Sequence, residues 1–144
     1  MATGIQVVFD CAEPAKLAEF WAAALGYQQQ PPPPGFATWE DWALEVGMPR
    51  EEWDAYAAVV DPDGAGPRLF FQRVPEPKTA KNRVHLDVNA SGGRGTPDAE
   101  RRVRVAEAEQ RLIALGAVRL REMDDVTGHC VVMQDPEGNE FCVQ

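Results

Sequence analysis

Two distant stretches of this chain carry the same signals in the same order, and that duplication limits the fold more than any other feature. Asp61-Pro62-Asp63-Gly64 leads into Leu69-Phe70-Phe71-Gln72, and Asp135-Pro136-Glu137-Gly138 leads into Phe141-Cys142-Val143-Gln144. Upstream of each turn, a helix-like segment closes on Leu-Gly, at Leu25-Gly26 and again at Leu115-Gly116. Before each helix comes a strand-like run, Gln6 to Cys11 and His85 to Ala90. The repeat implies one α+β domain over residues 1–144, made of paired β-α-β-β-β modules with a shared site between them. Module 1 covers about 1–74 with an insertion at 31–55, residues 75–82 form a linker, and module 2 covers about 83–144.

Bulk properties narrow the partners. At 144 residues and 44% hydrophobic, the chain can bury a core and does not have the composition of a disordered protein. Its 23 acidic and 14 basic residues give a net charge of −9, a field that repels a phosphate backbone and argues against nucleic acid. The longest apolar stretch, Phe20 to Leu25, is too short to cross a bilayer, and Met1 to Gly4 lack the basic start of a signal peptide. No membrane partner is expected. Cys11, Cys130 and Cys142 are odd in number and widely spaced, which suits reduced thiols in a cytoplasmic protein.

Local signals set the elements. Pro14 opens a helix, Leu17, Phe20, Trp21 and Ala24 keep helical spacing, and Gly26 closes it. A short strand from Tyr27 to Gln30 runs into Pro31 to Pro34, a stiff surface loop. Residues Thr38 to Ala57 have no counterpart in the second half and hold Trp39, Trp42 and Trp53, three of the four tryptophans. One or two short helical turns covering an end of the domain are expected there. Surface packing is the default role for these rings, and a ligand-contacting lid is the alternative. Strands follow at Tyr56 to Val60 and Arg68 to Arg73, then at Arg83 to Ala90. Thr96-Pro97-Asp98 is read as the cap and start of a helix to Leu115, with further strands at Val118 to Glu122, Cys130 to Gln134 and Glu140 to Gln144.

Strand side chains alternate faces. Val7, Phe9 and Cys11 oppose Gln6, Val8 and Asp10, while Leu69 and Phe71 oppose Arg68, Phe70 and Gln72. In the second half Val84, Leu86 and Val88 oppose His85, Asp87 and Asn89, while Phe141 and Val143 oppose Glu140, Cys142 and Gln144. Each strand has one apolar face suited to a covering helix. The mixed face either meets solvent or lines a concave cavity, and the alternation is compatible with both.

The strings from Phe71 to Lys78, Lys81 to Asp87 and Asp135 to Cys142 resemble the vicinal oxygen chelate superfamily of glyoxalases, extradiol dioxygenases and bleomycin-resistance proteins, in its glyoxalase-like branch. The resemblance spans essentially the whole chain. It implies a U-shaped mixed sheet around a small-molecule site, helices on the outer faces, often a divalent metal, and in many relatives a homodimer. The family's metal-ligand positions fall on Gln6, Gln72, His85 and Cys142. Hard and borderline ions favour imidazole and carboxylate donors, and two neutral amides, one imidazole and one thiol match them poorly. A metal-free cavity is therefore the expectation, with zinc conceivable only if Glu140, Asp87 or Asp10 joins His85 and Cys142.

Within that frame His85 is the candidate catalytic base or acid, with Asp87 two residues along on the same face. A histidine simply hydrogen-bonded within the sheet accounts for it equally well. His129, beside Gly128, is placed exposed at a strand end. Cys142 would act as a nucleophile only if a neighbour lowered its pKa. Gln6, Gln72, Asp87, Cys142, Trp39 and Trp42 are the candidate ligand-binding residues. Two functions follow from the resemblance: a lyase, isomerase or dioxygenase acting on a small metabolite, or a non-catalytic protein that sequesters a drug or aromatic compound.

Overall fold

The computed structural model describes residues 1–144, which divide into two compact units, Met1–Pro77 and Lys78–Gln144. Unit 1 runs β1 (Val7–Cys11), α1 (Pro14–Leu25), β2 (Gln28–Gln29), α2 (Trp39–Glu45), a 3-10 turn (Arg50–Glu52), β3 (Tyr56–Val60) and β4 (Leu69–Arg73). Its sheet has the order β1-β4-β3-β2, parallel where β1 meets β4 and antiparallel elsewhere. Unit 2 runs β5 (Leu86–Val88), α3 (Asp98–Ala114), β6 (Val118–Asp125), β7 (Gly128–Gln134) and β8 (Glu140–Val143). Its order, β5-β8-β7-β6, repeats the same plan. Each unit is thus a β-α-β-β-β module with its own mixed four-stranded sheet and its helix against one face. No helix is long and apolar enough to cross a membrane.

In unit 1 the helix and the sheet bury each other's apolar stripe. Pro14 sits at the first helical position, where its missing N–H leaves nothing unpaired. At the other end Gly26 takes φ 71°, and its N–H reaches the Ala22 carbonyl, a left-handed cap that glycine adopts without strain. Between them Leu17, Ala18, Phe20, Trp21 and Ala24 are buried, and α1 packs on β3 and β4. In the sheet Cys11, Leu69 and Phe71 are buried as well, and Phe9 stacks on Phe71 at 5.1 Å.

Unit 2 repeats this arrangement. Val105, Ala108 and Leu112 of α3 are buried, as are Val131, Met133, Phe141 and Val143 of the sheet. The two Asp-Pro-x-Gly turns are built alike. Asp135, only 2% exposed, accepts from the N–H groups of Glu137 and Asn139 at 2.9 and 3.0 Å. Asp61 accepts from Asp63, Ala65 and Gly66, and the N–H groups of Asp63 and Gly66 hold its carboxyl below the usual range. A carboxylate receiving several backbone donors fixes the approach to the last strand of each module.

Several local expectations are corrected. The first strand of unit 2 is three residues long because β8 offers partners only to Leu86, Asp87 and Val88. His85 therefore lies just before the strand, and Val84 is 79% exposed instead of facing the helix. Thr96 does not cap α3: its N–H closes a turn on Gly93, and Pro97 takes the cap position without a side-chain bond. The acidic first turn, Asp98 and Glu100, meets the positive helix end instead. His129 is not exposed, since its side chain is 11% accessible and its Nε2 lies 2.8 Å from Glu122.

Candidate functional site

The insertion between β2 and β3 builds one wall of a cavity in unit 1. Thr38 caps α2 by accepting from the Asp41 N–H at 3.1 Å, which starts the helix at Trp39 and places Trp42 one turn on. The two indoles meet edge to face, 5.5 Å apart at 86°. Trp39 Nε1 donates to the Gln30 carbonyl at 2.9 Å, tying the insertion to the end of β2. Trp53 Nε1 donates to the Met48 carbonyl at 3.0 Å. From the sheet, Tyr56 of β3 stacks on Phe70 of β4 at 5.8 Å and 15°.

These five aromatic side chains line a cavity of about 700 Å³, within the roughly 300–1,000 Å³ typical of small-molecule sites. Its lining is mostly apolar, with Arg68, Glu40 and the two amides Gln29 and Gln30 as the polar exceptions. The Arg68 guanidinium lies 5.0 Å over the Phe70 ring. Its Nε donates to Gln30 Oε1 at 2.6 Å and its Nη1 to Gln6 Oε1 at 2.7 Å. Farther along the β1–β4 ladder, Gln72 Nε2 donates to Asp10 Oδ1 at 2.8 Å.

Unit 2 gathers a different set. Ligand atoms of His85, Asp87 and Cys142 all lie within 4.8 Å of one another, with His85 Nε2 at 3.3 Å from Asp87 Oδ1. Asp87 and Cys142 are register partners across β5 and β8, so their side chains share a face. Burial above all, then the neighbouring Cys130 and Asp87, push the Cys142 thiol up to about 11. At neutral pH it is a protonated thiol, poorly suited to nucleophilic attack.

The metal positions implied by the family resemblance divide accordingly. Gln6 spends its amide oxygen on the Arg68 cation, so a metal ion there would sit beside a positive charge. Neither Gln6 nor Gln72 offers a carboxylate or imidazole, and that half does not fit a divalent ion. The other half does fit by donor type: an imidazole, a carboxylate and a thiol are zinc ligands, and binding would ionise the thiol despite its raised pKa.

Of the sequence candidates, Trp39 and Trp42 join in the unit 1 cavity, Gln6 borders it through Arg68, and Gln72 pairs with Asp10. His85, Asp87 and Cys142 form the unit 2 cluster. Arg68, Gln30, Tyr56 and Phe70 were not singled out. Arg68 and Phe70 did stand on the mixed face of their strand, which was the available signal; the aromatic stack with Tyr56 and the amide clamp require the fold.

Comparison with known proteins agrees with this architecture. Residues 6–144 match the family described as the glyoxalase-like domain. No curated protein matches the sequence. Among solved structures, the fosfomycin resistance protein FosX from Listeria monocytogenes, in complex with Mn(II) and 1S,2S-dihydroxypropylphosphonic acid, is similar over 100% of this chain and 90% of its own. It shares 12% identity at a TM-score of 0.64. A glyoxalase/bleomycin resistance protein/dioxygenase family enzyme from Burkholderia phytofirmans is similar over 96% of this chain and 94% of its own, with 13% identity and a TM-score of 0.62. A possible glyoxalase from Bacillus cereus covers 99% of each chain at 17% identity and a TM-score of 0.61. Identities this low establish a shared fold and nothing finer.

Proposed function

This chain belongs to the glyoxalase-like domain family, and on that footing we propose that it binds a flat aromatic small molecule and holds it without converting it. The observation that carries this reading is the cavity walled by Trp39, Trp42, Trp53, Tyr56 and Phe70. Aromatic walls favour a ligand with its own π-face, through offset stacking and edge contacts worth about 0.5–1.5 kcal/mol each beyond the area buried. The lining holds no histidine, cysteine, serine or lysine, so it lacks the usual nucleophiles and the usual base active near neutral pH.

A second reading, a zinc-dependent lyase or isomerase, draws on the convergence of His85, Asp87 and Cys142. Those three residues would hold the ion, and a bound zinc would supply Lewis-acid polarisation of a substrate oxygen.

Titration with the neutral probe N-phenyl-1-naphthylamine, followed by chromatography of the recovered probe, tests the first reading. One molecule should bind per chain, on the order of 100 µM or tighter at roughly 0.3 kcal/mol per heavy atom, and return unchanged. Absence of saturable binding would sink it. Stoichiometric zinc retained by the protein and lost in His85→Ala would shift the weight to the second.

A further inference from the structure

We propose that the unit 1 cavity selects aromatic ligands that carry an anionic group, a carboxylate, sulfonate or phosphonate on a planar ring system, and that Arg68 receives that group. The inference rests on the binding reading above and adds the ligand's charge.

Arg68 is the one basic side chain lining the cavity. Several other guanidiniums of this chain are paired with carboxylates: Arg73 with Asp54, Arg102 with Asp98 and Asp124, Arg119 with Glu109. Arg68 is held differently. Both its hydrogen-bond acceptors are neutral amide oxygens, from Gln30 and Gln6. They fix the plane of the guanidinium without cancelling its charge. A guanidinium has five N–H donors, and two are used here, which leaves Nη2 and the second hydrogen of Nη1 to offer a fork to an oxyanion.

The surroundings strengthen the case. The Phe70 ring covers one face of the guanidinium, so the approach is confined and partly shielded from water. In a chain of net charge −9, a bare anion is repelled at long range, and only a local, uncompensated cation can reverse that. Glu40 also lines the cavity, but it is exposed, and no clamp of the kind that holds Arg68 fixes it there. A ligand with an aromatic body and one oxyanion would satisfy both the ring walls and the fork. A cationic aromatic compound would face Arg68 across the same space.

Two probes with the same ring system separate charge from shape. 8-Anilinonaphthalene-1-sulfonate carries the anion, and N-phenyl-1-naphthylamine lacks it. Both are titrated at one-to-one stoichiometry against the full chain and against Arg68→Gln. The substitution should weaken the sulfonate about tenfold or more and leave the neutral probe within about twofold, as expected for loss of a charge-assisted fork. Equal effects on both probes, or none on either, would overturn the proposal while leaving the aromatic site standing. Failure of both probes to bind the unaltered chain would remove the underlying binding reading as well. If Arg68→Gln does not fold, Arg68→Lys keeps the charge and loses the fork. The sulfonate should then weaken severalfold relative to the neutral probe, and an unchanged ratio overturns the assignment.

Discussion

Replacing Trp21 with alanine should destabilise the protein by about 3–5 kcal/mol, enough to consume a large part of the roughly 5–15 kcal/mol that holds a typical domain folded. Trp21 is 1% exposed. Its ring lies 5.2 Å from Phe9 and meets Phe20 edge to face at 5.5 Å, so it joins the helix to the first strand of unit 1. Truncation would leave a void bounded by rigid rings and a helix with little freedom to collapse into it. Trp21→Phe keeps most of the volume and should cost roughly 1–2 kcal/mol. Urea unfolding of the two variants checks the order. Equal, small losses would mean that this cluster does not organise the unit.

The second large effect falls on binding rather than on folding. Changing Trp39 and Trp42 together to alanine should weaken an aromatic probe about 100-fold, from roughly 1.5 kcal/mol lost at each ring. The same double change should lower the melting temperature by only a few degrees. Trp39 is 39% exposed, and α2 is a seven-residue helix of which only Ala43 is buried. Calorimetric titration beside a thermal melt separates the two quantities. A large fall in stability with unchanged affinity would return these indoles to a packing role, the default expectation from sequence.

The module plan was legible because the core strands turn one apolar face inward. Leu69 and Phe71 are buried while Arg68, Phe70 and Gln72 are not, and that period of two is written directly in the residues. The duplicated turns were legible for a similar local reason: Asp61 and Asp135 bond to backbone a few residues ahead. Signals that depend on a partner strand were harder to read. Strand β6 continues past Glu122 to Asp125 because β7 supplies ladder partners as far as Gly128, although its own residues are exposed along their whole length. The clamp on Arg68 joins positions 38 and 62 residues away in sequence, and nothing local announces it. In the same way, Asp87 and Cys142 come together only through the parallel pairing of β5 and β8. Chemistry on the mixed faces could be listed from the sequence, but its grouping into an aromatic cavity and a His-Asp-Cys cluster comes from long-range pairing.

The location of binding is best read from the four indole N–H resonances of the nitrogen-15-labelled protein during titration with N-phenyl-1-naphthylamine. Three of the indoles, on Trp39, Trp42 and Trp53, line the cavity, and the fourth, on Trp21, lies in the core beneath α1 as an internal reference. Saturable shifts of the first three with Trp21 unmoved would place the ligand under the insertion. Saturable binding that leaves all three in place would contradict that assignment.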